Sequence, residues 1–193
     1  RTGRTPRRVC PSKHEVIDEQ LRTASKQVGE RRWAVDGIQL VLLVDADPRQ
    51  RLALLRERVA LLKGLPVAVV DEVIRERITL TPGARTLVAT MRKNGGTTCL
   101  VSGGFTLFTS RVGAMIGFDE NRANTLVMDG DGRLTGDVAE PIFGREAKLA
   151  TLIELTRKLA LAPERTLVAG DGANDIAMIQ AAGLGVAYHA KPK

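Results

Sequence analysis

The sequence predicts an α/β domain built on a parallel sheet. Residues 52–190 alternate between stretches of helical periodicity and short apolar runs closed by glycine. Two of those runs, at 98–101 and 166–169, lead straight into the small-residue segments Ser102-Gly103-Gly104 and Gly170-Asp171-Gly172. The chain has 193 residues, 44% hydrophobic and 26% charged, which suits one soluble domain, or a core with a small appendage.

The elements follow in order. Residues 52–63 read as an amphipathic helix with Leu55, Val59 and Leu62 on one face, stopped at Gly64-Leu65-Pro66. Residues 67–77 form a second short helix. After the Thr81-Pro82-Gly83 turn, 84–93 is helical and ends at Asn94-Gly95-Gly96. Residues 98–101 read as a short buried strand, and 108–116 as a helix closed by Gly117. The runs 125–128 and 133–136 flank Asp129-Gly130-Asp131-Gly132 as a hairpin. A long helix spans 146–160, a second buried strand 166–169, a helix 176–182 and a third strand 185–188. There is no internal repeat and no low-complexity tract.

Composition excludes several function classes. No run of 18 apolar residues is present, so no membrane span is expected. Cys10 and Cys99 cannot build a disulfide framework or a multi-cysteine metal site, and they fit a reducing, cytoplasmic location. Aromatics are only 3%, too few for stacking single-stranded nucleic acid. The net charge is +7, of which residues 1–35 carry +5, with nine basic and four acidic side chains. That segment reads as a solvated basic arm in preference to a nucleic-acid contact. Arg1–Arg8 has no apolar stretch behind it and is no secretory signal. The chain begins with Arg, so both ends are expected to be cut from something longer.

Three segments carry chemistry. In VAGDGANDIAM (168–178) a strand ends, glycines open a turn, and Asp171 and Asp175 flank Asn174. Ligands of open parallel sheets sit beyond the carboxyl ends of strands. Carboxylates beside glycines there suit a Mg²⁺ site, and the competing reading is a loop that merely caps the next helix. In CLVSGGF (99–105), Ser102 offers a hydroxyl, and the Gly103 and Gly104 amides can face an anion at the next helix start. The competing reading is a plain strand–turn–helix joint. Lys148 stands near the start of the 146–160 helix, where it can reach a phosphate as a point cation, although a lone lysine is usually a solvated charge.

Taken together, the order strand–SGG, lysine, strand–GDGxND resembles the haloacid dehalogenase superfamily of phosphohydrolases, and most closely its phosphoserine phosphatase family. The matching segments are RERVALLKGLP (56–66), LTPGA (80–84), VSGGF (101–105), ANTL (123–126), DGRLTGDV (131–138), AK (147–148), VAGDGANDIAM (168–178) and AGLGVAYHAKP (182–192). The resemblance implies a Rossmann-type parallel-sheet core (81–193) with a small helical cap (51–80), the core stopping short of the family's last strand and helix. It implies Mg²⁺-dependent hydrolysis of a small phosphomonoester, O-phospho-L-serine above all, in L-serine biosynthesis. By the same likeness Asp171 binds Mg²⁺, and Asp175 holds Lys148. Ser102, the Gly103 amide and Lys148 grip the phosphoryl oxygens. Asn174 bonds near the phosphate or substrate, and Arg58 pairs with the substrate carboxylate, as a bidentate guanidinium can. Without the resemblance, Arg58 reads as a surface arginine.

The family's first motif, Asp-x-Asp-x-Thr or -Val, supplies a nucleophile and a general acid–base. Residues 1–50 hold no clean copy. The nearest is the apolar run 40–44 followed by Asp45-Ala46-Asp47, with Arg49 where a small hydroxyl or valine belongs. Glu15-Val16-Ile17-Asp18-Glu19 is similar to the family's segment just after that motif, but upstream of it Arg7–Ser12 contains no aspartate. Three explanations stand, in this order: a shifted reading frame that rejoins family sequence near Leu52, a diverged N-terminus without a nucleophile, or Asp45 and Asp47 as a displaced working pair. The functional alternatives are a remnant that binds Mg²⁺ and phosphate without turnover, a phosphatase for another small phosphoester, and a nucleic-acid module. The near-neutral main body argues against the last. Oligomeric state is not legible. His14 and His189 are given no role, and Cys99 is read as packing.

Overall fold

The computed structural model describes residues 34–35, 38–39 and 48–189, with side chains from residue 52 onward. The remainder of the basic arm, Asp45, Asp47, the 15–19 segment and the final four residues lie outside the described residues. Two short strands, β1 (Ala34–Val35) and β2 (Ile38–Gln39), pair antiparallel.

The leucine and valine spacing near the start of the matched region gives helix α1, Pro48–Ala60. Its Val59 is 2% exposed and packs with Leu126 and Leu134, while Leu55, Leu62, Leu65 and Val67 surround them. Helix α2 (Ala68–Arg77) buries Val70 and Ile74 at the four-residue spacing of one helix face. Its Asp71 forms an ion pair with Arg111. Helix α3 (Ala84–Lys93) starts after Gly83, which takes a positive φ of 85°. Its end is closed by Asn94, whose Nδ2 donates to the Thr90 carbonyl at 2.8 Å.

Strand β3 (Cys99–Phe105) is followed directly by helix α4, Thr106–Ile116, which ends at Gly117 in the left-handed conformation. Strand β4 (Glu120–Asn124) runs parallel to β3. The expected hairpin forms as β5 (Leu126–Met128) and β6 (Leu134–Val138), antiparallel. Its turn is stitched to the segment between α1 and α2: Gly64 N–H donates to the Leu134 carbonyl at 2.8 Å, Leu134 N–H to Leu65 at 2.9 Å, and Val67 N–H to Gly132 at 3.0 Å. Helix α5 (Arg145–Lys158) and a short 3₁₀ turn (Pro163–Arg165) lead to strand β7, Leu167–Gly170. Helix α6 (Ile176–Ala181) then returns to strand β8 (Leu184–Ala187), parallel to β7.

The fold class is therefore α/β with parallel strands joined through helices, as the sequence predicts. Three particulars differ. Strand β4 is absent from the sequence reading because ENRAN carries neither alternation nor a β-branched residue. It is held by tertiary partners instead: Asn121 accepts from Thr109 Oγ1 at 2.9 Å, and Arg122 and Lys158 both pair with Glu120. Next, the strands expected to be buried are less so: β3 is half-buried along most of its length, and β7 is covered on one side. In β7 Val168 is buried, whereas Leu167 is 43% exposed. Helix α6 packs on the inner side through Met178, and no described element covers the other. Last, β3 and β7 do not share a ladder among the described residues, where the parallel pairs are β3–β4 and β7–β8.

Candidate active site

The loop after β7 is compact because two glycines let side chains fold over the backbone. A Cβ on Gly170 would stand 2.6 Å from the Asp175 Cβ and 2.8 Å from its Oδ2. A Cβ on Gly172 would strike the Asn174 side-chain oxygen. Without side chains at 170 and 172, Asp175 turns back under the strand end. Its Oδ2 accepts the Gly172 N–H at 3.2 Å, and its Oδ1 accepts from Lys148 Nζ at 2.6 Å. The side chain makes no capping bond to the helix that follows, so the capping alternative does not describe Asp175.

Lys148 is the fourth residue of α5, and its amide bonds the Gly144 carbonyl at 3.1 Å. The surface-charge alternative fails for it, since its side chain is 6% exposed and that of Asp175 is 7% exposed. An ion pair this far from water needs close, hydrogen-bonded geometry, and removing one partner leaves the other stranded.

Asp171 behaves differently although it lies four residues away. It is exposed, and it makes no hydrogen bond or ion pair with another described residue. A free carboxylate at a strand's carboxyl end matches a hard divalent cation, which takes one or two carboxylates and keeps several waters. The donor chemistry at Asp171 thus fits Mg²⁺, although no group of three acidic, histidine or cysteine ligands occurs among the described residues. Asn174 is exposed beside it.

The Ser102-Gly103-Gly104 segment corrects the sequence reading in two ways. It is not a turn, because β3 continues through it to Phe105 and the register with β4 shifts between Val101 and Phe105. The Gly104 amide does not face outward either. It donates to Ser102 Oγ at 3.0 Å, closing a local loop that uses up that N–H. Gly103 is exposed, and Ser102 is half-buried. The segment is fixed by a residue the sequence reading passed over: Asn124, at the end of β4 and 3% exposed. Its Nδ2 donates to the carbonyls of Gly103 at 2.9 Å and Gly104 at 3.3 Å. The sequence offered it only inside the ANTL segment of the resemblance, with no local sign that it is buried.

Arg58 lies half-buried on α1. The structure therefore joins Lys148 to Asp175 directly, sets Asp171 and Asn174 on the same loop, and places Ser102 and Gly103 on β3. Cys99 is half-buried, and burial raises its thiol pKa, in keeping with a packing role. His189 is exposed and rests edge-on against Tyr188, with ring centres 4.4 Å apart.

A buried lysine–aspartate pair and an exposed carboxylate thus stand together at one strand end of this α/β core. The chain belongs to the haloacid dehalogenase-like hydrolase family, whose model matches residues 14–180. It is 47% identical over 143 residues to a phosphoserine phosphatase of a Polaromonas species, covering 72% of this chain and 60% of that one. It is 40% identical over 179 residues to the phosphoserine phosphatase of Methanocaldococcus jannaschii, covering 93% and 81%. A solved substrate-bound phosphoserine phosphatase complex superposes with a TM-score of 0.70 at 33% identity, covering 92% of this chain and 76% of that one. The chain spans less than two thirds of the curated relatives it matches first, 60% of the Polaromonas protein among them. No helix among the described residues is long and apolar enough to cross a membrane.

Proposed function

We propose that this chain is a Mg²⁺-dependent phosphomonoester hydrolase acting on O-phospho-L-serine, in the cytoplasm and in the service of L-serine synthesis. The observation that carries this reading is the buried Lys148–Asp175 pair at 2.6 Å, set at the strand end that also presents the exposed Asp171. A cation held inside the protein by a carboxylate can meet a phosphoryl oxygen without swinging in from solvent, so its position is set beforehand. In this reading Lys148, the Ser102 hydroxyl and the Gly103 amide hold the phosphoryl oxygens, and Asp175 keeps Lys148 in place. Asp171 supplies a carboxylate to Mg²⁺, which when bound offsets phosphoryl charge. Asn174 bonds at the phosphate or substrate, and Arg58, on a small cap made by residues 51–80, reads the substrate carboxylate through its two-pronged guanidinium.

The test is release of phosphate from O-phospho-L-serine and from an uncharged aryl phosphate, with Mg²⁺ present. Both are expected to be hydrolysed, and Arg58→Ala is expected to raise KM for phosphoserine far more than for the aryl ester. Equal effects on both would remove the phosphoserine assignment and leave a phosphatase for another small ester. A second reading is a chain that binds Mg²⁺ and phosphate but turns nothing over. It is favoured by the departure of residues 45–49 from the family's first motif, with Arg49 where a small hydroxyl or valine belongs. Phosphate binding without any release from either ester decides for it.

A further inference from the structure

The Asn124 side chain does more than fix β3. Besides its bonds to Gly103 and Gly104, its Nδ2 donates to the Phe143 carbonyl at 3.3 Å, and its Oδ1 accepts the Phe143 N–H at 2.7 Å. Phe143 immediately precedes Gly144, whose carbonyl receives the Lys148 amide. One carboxamide thus joins the segment carrying Ser102 to the start of the helix carrying Lys148. Among the described residues no other hydrogen bond connects the 102–104 segment with 143–148. Asn124 itself is 3% exposed, and only a carboxamide offers both a donor –NH₂ and an acceptor oxygen in that shape. Serine is too short to span it, and aspartate accepts from Phe143 but donates to nothing.

We infer that Asn124 is a positioning residue: it sets the separation of Ser102 from Lys148, and so the width of the phosphate seat between them. The inference rests on the proposed function in taking Ser102 and Lys148 to hold one phosphate. Thr109 provides the comparison. It is also buried, its Oγ1 donates to Asn121 on the same strand, and it lies outside the seat.

The experiment measures inorganic phosphate binding by calorimetry with Mg²⁺ present, for the full chain and for Asn124→Ser, Asn124→Asp and Thr109→Val. Each is measured at the same interval below its own Tm. Both Asn124 variants are expected to lose phosphate affinity by about tenfold or more, as misplacement of a binding group does, while Thr109→Val stays within about twofold of wild type. Wild-type affinity in the Asn124 variants, or an equal loss in Thr109→Val, overturns the inference. If the variants do not fold, amide exchange on the unaltered chain decides. Phosphate is expected to slow exchange at Phe143 together with Gly103, and an unchanged Phe143 overturns the proposal. A wild type that hydrolyses phosphoserine while the Asn124 variants bind phosphate normally defeats this inference alone. A wild type that binds phosphate through Asn124 but hydrolyses neither ester defeats the proposed function alone.

Discussion

The loop after β7 and the end of β3 are held in opposite ways. At β7 the fixing element is a buried ion pair, Lys148 with Asp175. At β3 it is a neutral carboxamide, Asn124, bonded to backbone carbonyls. The first arrangement brings two opposite charges inside the protein. The second only shapes backbone and adds no charge of its own. The difference teaches that the two strand ends are held by a division of forces: paired charge at one, neutral hydrogen bonds at the other.

The strongest test of that division is Lys148→Met. It leaves the Asp175 carboxylate buried and unpaired, and a loss of about 3–5 kcal/mol in unfolding free energy is expected by denaturant titration. A loss below about 1 kcal/mol, the range of exposed pairs, would show that water reaches Asp175 and that the β7 loop is not held by charge. Gly170→Ala comes next. The new methyl group would press on Asp175 and loosen the same pair, with an expected cost of about 1–3 kcal/mol in the same titration. Ser102→Ala removes the acceptor for the Gly104 N–H and is expected to cost about 1 kcal/mol, sharpening the contrast between a charged and a neutral clasp. Asp171→Asn is expected to change stability by no more than about 0.5 kcal/mol in metal-free buffer. It should also abolish any rise in Tm on adding Mg²⁺. A large loss without metal would mean that Asp171 is structural, like Asp175.

The smallest effect concerns acid. Asp119 accepts hydrogen bonds from the Thr98 backbone and hydroxyl and pairs with Arg92 Nε at 2.8 Å. The Thr98 bonds, with Arg92 adding less, hold its carboxyl below the usual range. A depressed folded-state pKa means the contribution is complete above the ordinary aspartate range, near pH 4, and fades as pH falls through the folded value. Asp119→Asn is therefore expected to lower stability slightly near neutral pH, to leave it little changed below the folded-state value, and so to flatten the acid limb of a stability-versus-pH curve.

Much of this architecture was legible in the amino-acid order. Helices α1 to α6 announced themselves through apolar spacing and through Gly83, Asn94 and Gly117, because glycine and asparagine mark backbone turns locally. The hairpin was legible for the same reason. Strand β4 was not, since its polar residues gain their partners only from α4 and α5. That Lys148 and Asp175 meet was implied by likeness to a family alone, as a separation of 27 positions gives no local sign of it. Asn124 escaped because a buried asparagine on a strand looks, in sequence, like any other. The outward-facing Gly104 amide was a wrong expectation for a related reason: whether an amide faces a ligand or a neighbouring hydroxyl depends on a strand that runs on rather than turning.

The bonds between Gly64–Val67 and Gly132–Leu134 have a mechanical consequence. Helix α1 and the hairpin share both a backbone seam and the Val59, Leu126 and Leu134 cluster, so neither can shift alone. Any movement that brings Arg58 nearer to the strand ends drags the turn at Asp131 along with it. A spectroscopic label on that exposed turn would therefore report the motion of a helix it does not touch.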